Sequence, residues 1–249
     1  MILIRIFLNK SKPALAGFLI YLTVWQILSL FFAEYIVPSP VKVLRAVSSF
    51  ENTGINILHT FLRITVSFAA SFCSGITIAV IFHKFALRDY IRSSLTVLQI
   101  IPGTILALIL FLIFGSGSAV PVLLIAAVIF PLFVNHTFNC LDLIPQERTE
   151  ACKLFGGGKA DLARYVWLPE LIPMLKETGN TAISLGSKIV ILGEFIGSDS
   201  GIGYALNNAK TFFKMDEVFG YLLIIILLNF FLQIAYSFFL KILFLLSKA

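Results

Sequence analysis

Apolar residues in this chain neither alternate nor form stripes over most of its length; they run in blocks. Pro13–Ala33, Ile64–His83 and Val218–Leu240 carry no formal charge, and the second of these is expected to begin a turn earlier, near Leu58. A helix needs about 20 mostly apolar residues to cross a bilayer, so each block predicts one crossing. Between Ser93 and Leu141 there are 49 positions without a formal charge, too many for a single crossing. Gly115-Ser116-Gly117-Ser118 interrupts this block and predicts a tight hairpin with spans over Tyr90–Phe114 and Ala119–Phe138. Leu171–Ile196 is a weaker span because it contains Lys188 and Glu194. Without it, however, the basic segments before and after would fall on opposite sides of the membrane. The expectation is an all-α, polytopic membrane protein with six transmembrane helices.

Composition sharpens this. Hydrophobic residues make up 59% of the 249 positions and charged residues 13%, against roughly 45–50% and 25% in a soluble domain. Such a chain lacks the polar residues to cover a soluble surface, and its 25 Phe residues exclude disorder. The net charge of +6 lies between the apolar blocks, where it records orientation rather than nucleic-acid binding. With the N-terminus inside, the inner segments hold Arg5, Lys10, Lys12, Lys84, Arg88, Arg92, Arg148, Lys153, Lys159, Arg164, Lys176, Lys241 and Lys248. The outer segments hold only Lys42, Arg45, Arg63, Lys210 and Lys214. This asymmetry places both termini in the cytoplasm. The first apolar run is longer than a signal h-region and no small-x-small site follows it, so it reads as a retained span. Cys73, Cys140 and Cys152 are scattered and predict neither disulfides nor zinc.

Two segments between spans have structure of their own. Pro38-Ser39-Pro40 followed by Val41, Leu44 and Val47 predicts a short amphipathic helix on the outer surface, with Lys42 and Arg45 turned to water. The other runs from Asn139 to Glu170; Asp142 to Glu170 alone carries nine charges in 29 positions. Pro145 suits the first turn of a helix, Glu147 and Glu150 its positive end, and Gly156 its C-terminal cap. Leu143, Ile144, Ala151, Leu154 and Phe155 give that helix an apolar side outside the membrane. A second short helix, Asp161–Trp167, is expected to start at Asp161 and stop at Pro169. The plain alternative is a solvated linker, which has no need of caps or apolar residues.

Glu150-Ala151-Cys152, then Gly156, then Leu168-Pro169, resembles the EAA loop of permease subunits of ATP-binding-cassette (ABC) importers. The resemblance extends from about His59 onward, through Thr60-Phe61-Leu62-Arg63, Ile101-Pro102, Phe114-Gly115-Ser116-Gly117, Glu194 and Gly201-Ile202-Gly203-Tyr204. Pro38-Ser39-Pro40 adds to it. The type is that of nitrate, sulfonate, taurine and bicarbonate permeases, whose relatives carry thiamine precursors. The chain departs from the pattern at Cys152, where a second Ala is usual, and in its glycine triplet.

The resemblance implies one permease domain over 1–249, with an N-terminal segment 1–57, a five-helix core 58–245 and a coupling segment 139–170. It implies a homodimer whose interface forms the solute path, separate ABC ATPase subunits below and an extracytoplasmic binding protein above. Glu150, Ala151, Cys152, Leu154, Phe155 and Gly156 would then dock on the ATPase. No cofactor, metal or catalytic residue is expected in the chain itself.

Other motifs fail on inspection. Gly157-Gly158-Lys159 lacks the first glycine and the Ser/Thr of a phosphate loop. Gly197-Ser198-Asp199-Ser200-Gly201 has Asp199 where a nucleophilic serine would stand. His59, His83 and His136 have no metal spacing and read as interfacial or packing residues. Lys188 and Glu194 each cost about 2.5–3.5 kcal/mol inside a membrane and usually face a protein interior or a water-filled path. Six positions apart, they stand about 240° apart around a helix and about 9 Å along it, so they do not pair directly. Lys188 either lines the translocation path or pairs with another helix. Glu194 is expected at an outer gate or at the surface that receives the binding protein. An ion-coupled secondary transporter is the alternative function, but it calls for internal repeats, interrupted spans in matching positions and buried titratable residues for ion coupling. A membrane enzyme needs a cluster of His, Asp or Glu at one depth, which the sequence lacks.

Overall fold

A computed structural model describes residues 2–248 apart from Ser49 and Glu51. The side chains of residues 2–12, 14, 15, 159 and 243–248 lie outside that description, and with them Arg5, Lys10, Lys12, Lys159 and Lys248 of the charge asymmetry. The described residues form helices and connecting turns, with no strand. They fall into two compact units. One comprises Met1–Thr53 with Ala205–Ile224, the other Gly54–Tyr204 with Ile225–Ala249.

The first unit contains α1 (Ile2–Phe31) and α2 (Pro40–Val47). Ser39 caps α2 by accepting from the Lys42 N–H, and Pro40 occupies the first turn, where a missing N–H is harmless. Val43 is the buried residue of α2, and Val41 and Leu44 are exposed together with Lys42 and Arg45. Trp25 donates from Nε1 to the Pro38 carbonyl at 3.0 Å and stacks on Phe219, which ties the end of α1 to the turn before α2.

The second unit is built from α3 (Thr53–Lys84), α4 (Arg88–Ile100), α5 (Gly103–Phe114), α6 (Ala119–Asp142), α7 (Gln146–Leu154), α8 (Lys159–Asp161), a π-helical turn (Leu162–Trp167), α9 (Leu168–Gly197) and the start of α10 (Ile202–Thr211), whose residues from Ala205 on belong to the first unit. The later part of α11 (Met215–Lys248) completes it. Its centre is the packing of α6 against α9. Val120, Leu124, Ile125, Ile129 and Phe133 are wholly buried on α6. They meet a side of α9 made of Gly186, Gly193 and Gly197, while Gly179 leaves room for Tyr236 of the last helix. A methyl group on Gly193 would come within 2.6 Å of the Pro121 Cα, and one on Gly197 within 2.7 Å of Val120. Lipid is as apolar as leucine, so small residues that let backbones approach are what hold such helices together.

Two spans differ from the uniform helices expected. The Tyr90–Phe114 block is two helices, α4 and α5, meeting at 90° across Ile101-Pro102. Proline has no N–H to continue the ladder and pushes the preceding residue out of the helical region, and Ile101 accordingly sits at φ −66°, ψ 122°. Conversely, the short helix expected to end at Pro169 runs on into α9. Pro169 falls within the first turn of α9, just after the π-helical turn, a widened geometry that tolerates the missing donor.

Thr53–Lys84, Ala119–Asp142 and Met215–Ile242 are long and apolar enough to cross a bilayer. The bent pairs α4–α5 and π turn–α9–α10 bring the number to five if each is one span. Ala16–Phe31, the apolar part of α1, is shorter.

Candidate coupling segment and membrane-buried polar sites

α7 is a nine-residue helix outside the apolar blocks, between α6 and α9. Its end is a complete Schellman turn: Gly156 donates to the Lys153 carbonyl at 3.0 Å and Gly157 to the Cys152 carbonyl at 2.9 Å. Gly156 has φ +78°, which favours glycine, and a methyl group on Gly157 would lie 2.7 Å from the Cys152 carbonyl oxygen and from its Sγ. Two of the three glycines are thus required by the turn. Asp161 folds back to accept from the Gly158 N–H at 2.9 Å. An ion pair from Arg148 to Glu170 connects α7 to the first turn of α9.

The residues expected to dock a partner are on the surface. Glu150 and Ala151 are exposed, Cys152 is half-buried, and Leu154 and Phe155 are 86% and 92% exposed. Two large apolar side chains side by side, outside the apolar blocks, form a patch of the kind that marks interaction sites. At the neighbouring end of α6, Asp142 receives Arg88 and lies 3.4 Å from His83 Nε2, while Arg92 donates to Asn139 at 2.6 Å. These contacts join the ends of α3 and α4 to the root of the α7 segment.

At the other end of the second unit lies a buried ion pair that sequence reading did not pair. Arg63 on α3 and Glu194 on α9 are 2.7 Å apart and 3% and 0% exposed. Every guanidinium hydrogen of Arg63 is used. Nη1 donates to Glu194 Oε1 and to the Ser200 carbonyl, Nη2 to Ser118 Oγ and Ser200 Oγ, and Nε to Ser118 Oγ. Glu194 also accepts from the Thr60 hydroxyl at 2.9 Å and the Gly203 N–H at 2.8 Å. Thr60 Oγ1 in turn accepts from the Ile202 N–H, and Asn56 Oδ1 from the Gly201 N–H.

The carboxylate is therefore wrapped by the Gly201-Ile202-Gly203 turn. Gly201 has φ +99°, and a methyl group there would stand 2.3 Å from Glu194 Oε1. Glu194 is thus wholly enclosed by its own chain. The network ties α3, the α5–α6 hairpin and the start of α10 to α9. Its signal was in the sequence: Thr60, Arg63, Ser67, Ser71 and Gly75 recur at three- and four-residue spacing and are all buried on one side of α3. Arg63 reads as a loop cation only if that spacing is ignored.

Lys188 is exposed on α9, on a different face from Glu194, and no hydrogen bond or ion pair reaches it among the described residues. Below it, α11 meets α9 through amides: Gln233 Nε2 donates to Ser184 Oγ at 2.9 Å and Asn229 Nδ2 to Ser187 Oγ at 3.0 Å. In the first unit, a mixed groove of about 270 Å³ lies between Lys42, Arg45, Phe50, Asp216 and Glu217. Beside it Lys214 is held above the ordinary lysine range by its hydrogen bond to Glu217. Among the described residues no group of three His, Cys, Asp or Glu is arranged to hold a metal.

Apolar helices, a charge network buried within them and an exposed capped helix between α6 and α9 define a membrane-embedded transport component. Residues 70–243 match the family of the binding-protein-dependent transport system inner membrane component, and the chain belongs to that family. It is thus a transmembrane permease of the ABC transport class. It is 28% identical over 220 residues to the formylaminopyrimidine transport permease protein ThiX of Halalkalibacterium halodurans, covering 85% of this chain and 86% of that protein. To the nitrate import permease protein NrtB of Synechococcus elongatus it is 24% identical, covering 80% and 78%. Its fold resembles a chain of the MetNI methionine ABC transporter in inward-facing form, with a TM-score of 0.64 over 76% of this chain and 94% of that one, at 19% identity.

Proposed function

We propose that this chain is the membrane-spanning subunit of an ATP-driven importer, forming with a second copy the path for a small anionic or heterocyclic solute. A binding protein delivers the solute on the outer side, and a separate ATPase docks on α7. The chain itself performs no chemistry. The observation that carries this reading is α7: a helix closed by a Schellman turn, exposing Leu154 and Phe155, tied to α9 by Arg148 and Glu170.

The coupling follows from rigidity. Docking on Glu150, Ala151, Cys152, Leu154, Phe155 and Gly156 moves α7 as a body. The Arg148–Glu170 pair and the Asp142 contacts pass that movement to α9 and to the ends of α3 and α4. Closure of the ATPases on ATP brings the two α7 helices together and opens the path outward, as a rigid-body transition between two packed states. Glu194, held by Arg63, keeps the outer end of α3 and α9 together and serves the gate from within. Lys188 lines the path, because an unpaired ammonium facing lipid costs about 2.5–3.5 kcal/mol. Names of relatives support the solute class: formylaminopyrimidine is a heterocycle and nitrate an anion. Both termini lie in the cytoplasm and the protein in the inner membrane, and the domain is the single permease unit of 1–249.

The test is reconstitution in proteoliposomes with a partner ATPase and binding protein from the same organism, using the ligand that co-purifies with that binding protein. Uptake is expected to need ATP and both partners. Uptake by this chain alone, driven by an ion gradient, overturns the proposal.

A further inference from the structure

The side of α9 turned away from its glycines is polar. Glu177, Thr181, Ser184 and Lys188 follow one another at three- and four-residue spacing, so they share one face. All but Ser184, which is half-buried, are exposed. Antiparallel to this face runs α11, as the pairs 187 with 229, 184 with 233 and 175 with 236 establish. The amides between the helices are fixed. Asn229 donates to Ser187 Oγ and to the Ile183 carbonyl, and Gln233 donates to Ser184 Oγ and, at 2.8 Å, to Asn229 Oδ1.

Gln233 has thereby spent both its N–H donors, and its Oε1 remains as an oriented acceptor. Ser184 Oγ accepts from Gln233 and keeps its hydroxyl proton. Gln233 also opens on a groove of about 320 Å³ lined by Asn180, Ser237 and Lys241 and by the rings of Phe230 and Phe238. The Asn180 Oδ1 is buried there without a partner. Lys188 lies one turn from Ser184 in one direction, and Lys241 two turns from Gln233 in the other, about 6 Å and 12 Å along the helix axes. Glu177 is the carboxylate of this face, at the Lys241 end.

Lipid does not suit such a face. Lys188, an amide acceptor and two hydroxyls within apolar spans need water or protein against them. The amides are locked by a hydrogen-bond relay rather than free to turn, which is how a recognition site is made rigid, and the phenyl rings beside them supply apolar contact without competing for polar groups.

We propose that Ser184, Gln233 and Lys188 form a solute subsite in the membrane path that takes a small organic anion bearing an N–H or O–H donor. Lys188 faces the anionic group, Gln233 Oε1 accepts from the donor, and Phe230 and Phe238 meet the carbon body. Lys241 marks the next station for the anion toward the α7 end. This rests on the importer reading, since it assumes that the face lines the path.

The experiment uses the full chain, assembled with its ATPase in nanodiscs, and carrying Ser184→Cys. Two water-soluble thiol reagents are compared: 2-sulfonatoethyl methanethiosulfonate, an anion, and its trimethylammonium counterpart, a cation. Rates are taken over those of the parent chain, which has three cysteines, and normalised to each reagent's rate with a simple thiol. Both reagents are expected to label position 184, the anion about threefold faster through the local positive potential. Adding Lys188→Met is expected to bring the ratio to parity, and adding Gln233→Glu to reverse it.

Absence of labelling by either reagent with the ATPase still bound overturns the subsite while leaving the importer reading intact. A ratio indifferent to Lys188→Met also overturns it. Failure of the unaltered chain to bind any ATPase overturns the importer reading instead. If Ser184→Cys does not assemble, Thr181→Cys, exposed on the same face, carries the same measurement and the same outcomes.

Discussion

Arg63 and Glu194 show how a membrane protein holds two full charges away from both water and lipid. Moving such a pair into a low-dielectric interior costs several kcal/mol per ion, and the cost is met only when the remaining hydrogen-bonding positions are filled. Here all five guanidinium hydrogens and both carboxylate oxygens are filled. The consequence is strong asymmetry between single and double changes. Glu194→Gln or Arg63→Met alone leaves one charge buried without its counterpart and is expected to cost about 3–5 kcal/mol. The double variant Arg63→Met with Glu194→Gln is expected to recover a large part of this. Thermal unfolding in detergent of the three variants measures it; equal and additive losses would sink the account. At the same scale, Gly201→Ala is expected to lower stability more than Gly54→Ala. The first methyl group meets Glu194 Oε1 at 2.3 Å with φ at +99°, and the second meets nothing within 4 Å.

Among the elements, α7 and α9 divide the labour. α7 is apolar where nothing in this chain covers it, and α9 is small where α6 must come close. Leu154→Ser with Phe155→Ser removes two exposed apolar side chains that touch no core, so folding should be kept while the ATPase is lost. Co-purification of ATPase is expected to fall at least about tenfold, since each apolar side chain of this size carries roughly 1.5–3 kcal/mol on burial. Unchanged co-purification would rule out α7 as the dock. Gly193→Val is expected to do the opposite. It drives side-chain atoms into Pro121, whose Cα would stand 2.6 Å from even a methyl group, and should separate α6 from α9 and reduce the folded yield in the membrane. Size-exclusion profiles of the two variants distinguish loss of a partner from loss of packing.

At the scale of the whole molecule, the uneven spread of Lys and Arg makes a topological prediction. Reporter proteins fused to the C-terminus should fluoresce as a cytoplasmic green reporter and stay inactive as a periplasmic phosphatase. The reverse pattern would invert the assignment of α7 and require the ATPase on the other face. The bent pair α4–α5 belongs to this scale too, because it turns one continuous apolar block into two helices at 90°, and irregular backbone inside a membrane is tolerated only where protein or water lies against it.

Some of this was legible without coordinates. Charge-free blocks of sufficient length specify helices in a membrane, because every backbone group must be paired within its own segment there. Pro145, Glu147 and Gly156 mark the ends of α7 by local geometry alone, and Gly115-Ser116-Gly117-Ser118 marks the hairpin before α6 in the same way. Those signals act within a few residues, so one sequence is enough to read them. Lys188 and Glu194 could be assigned to different faces of one helix by their spacing. What faces each of them could not, since that depends on helices 40 to 130 positions away in the chain.

Only the tertiary structure brings Arg63 to Glu194, sets Gln233 against Ser184 and turns Gly193 and Gly197 of α9 toward α6. It also decides that Ile101-Pro102 breaks a span while Pro169 does not. A proline stops a helix or joins one according to whether its missing N–H falls within a running ladder or in a first turn. The sequence by itself determined which segments form apolar helices and where α7 begins and ends; their contacts with one another follow from packing, a property of many residues at once that no local pattern contains.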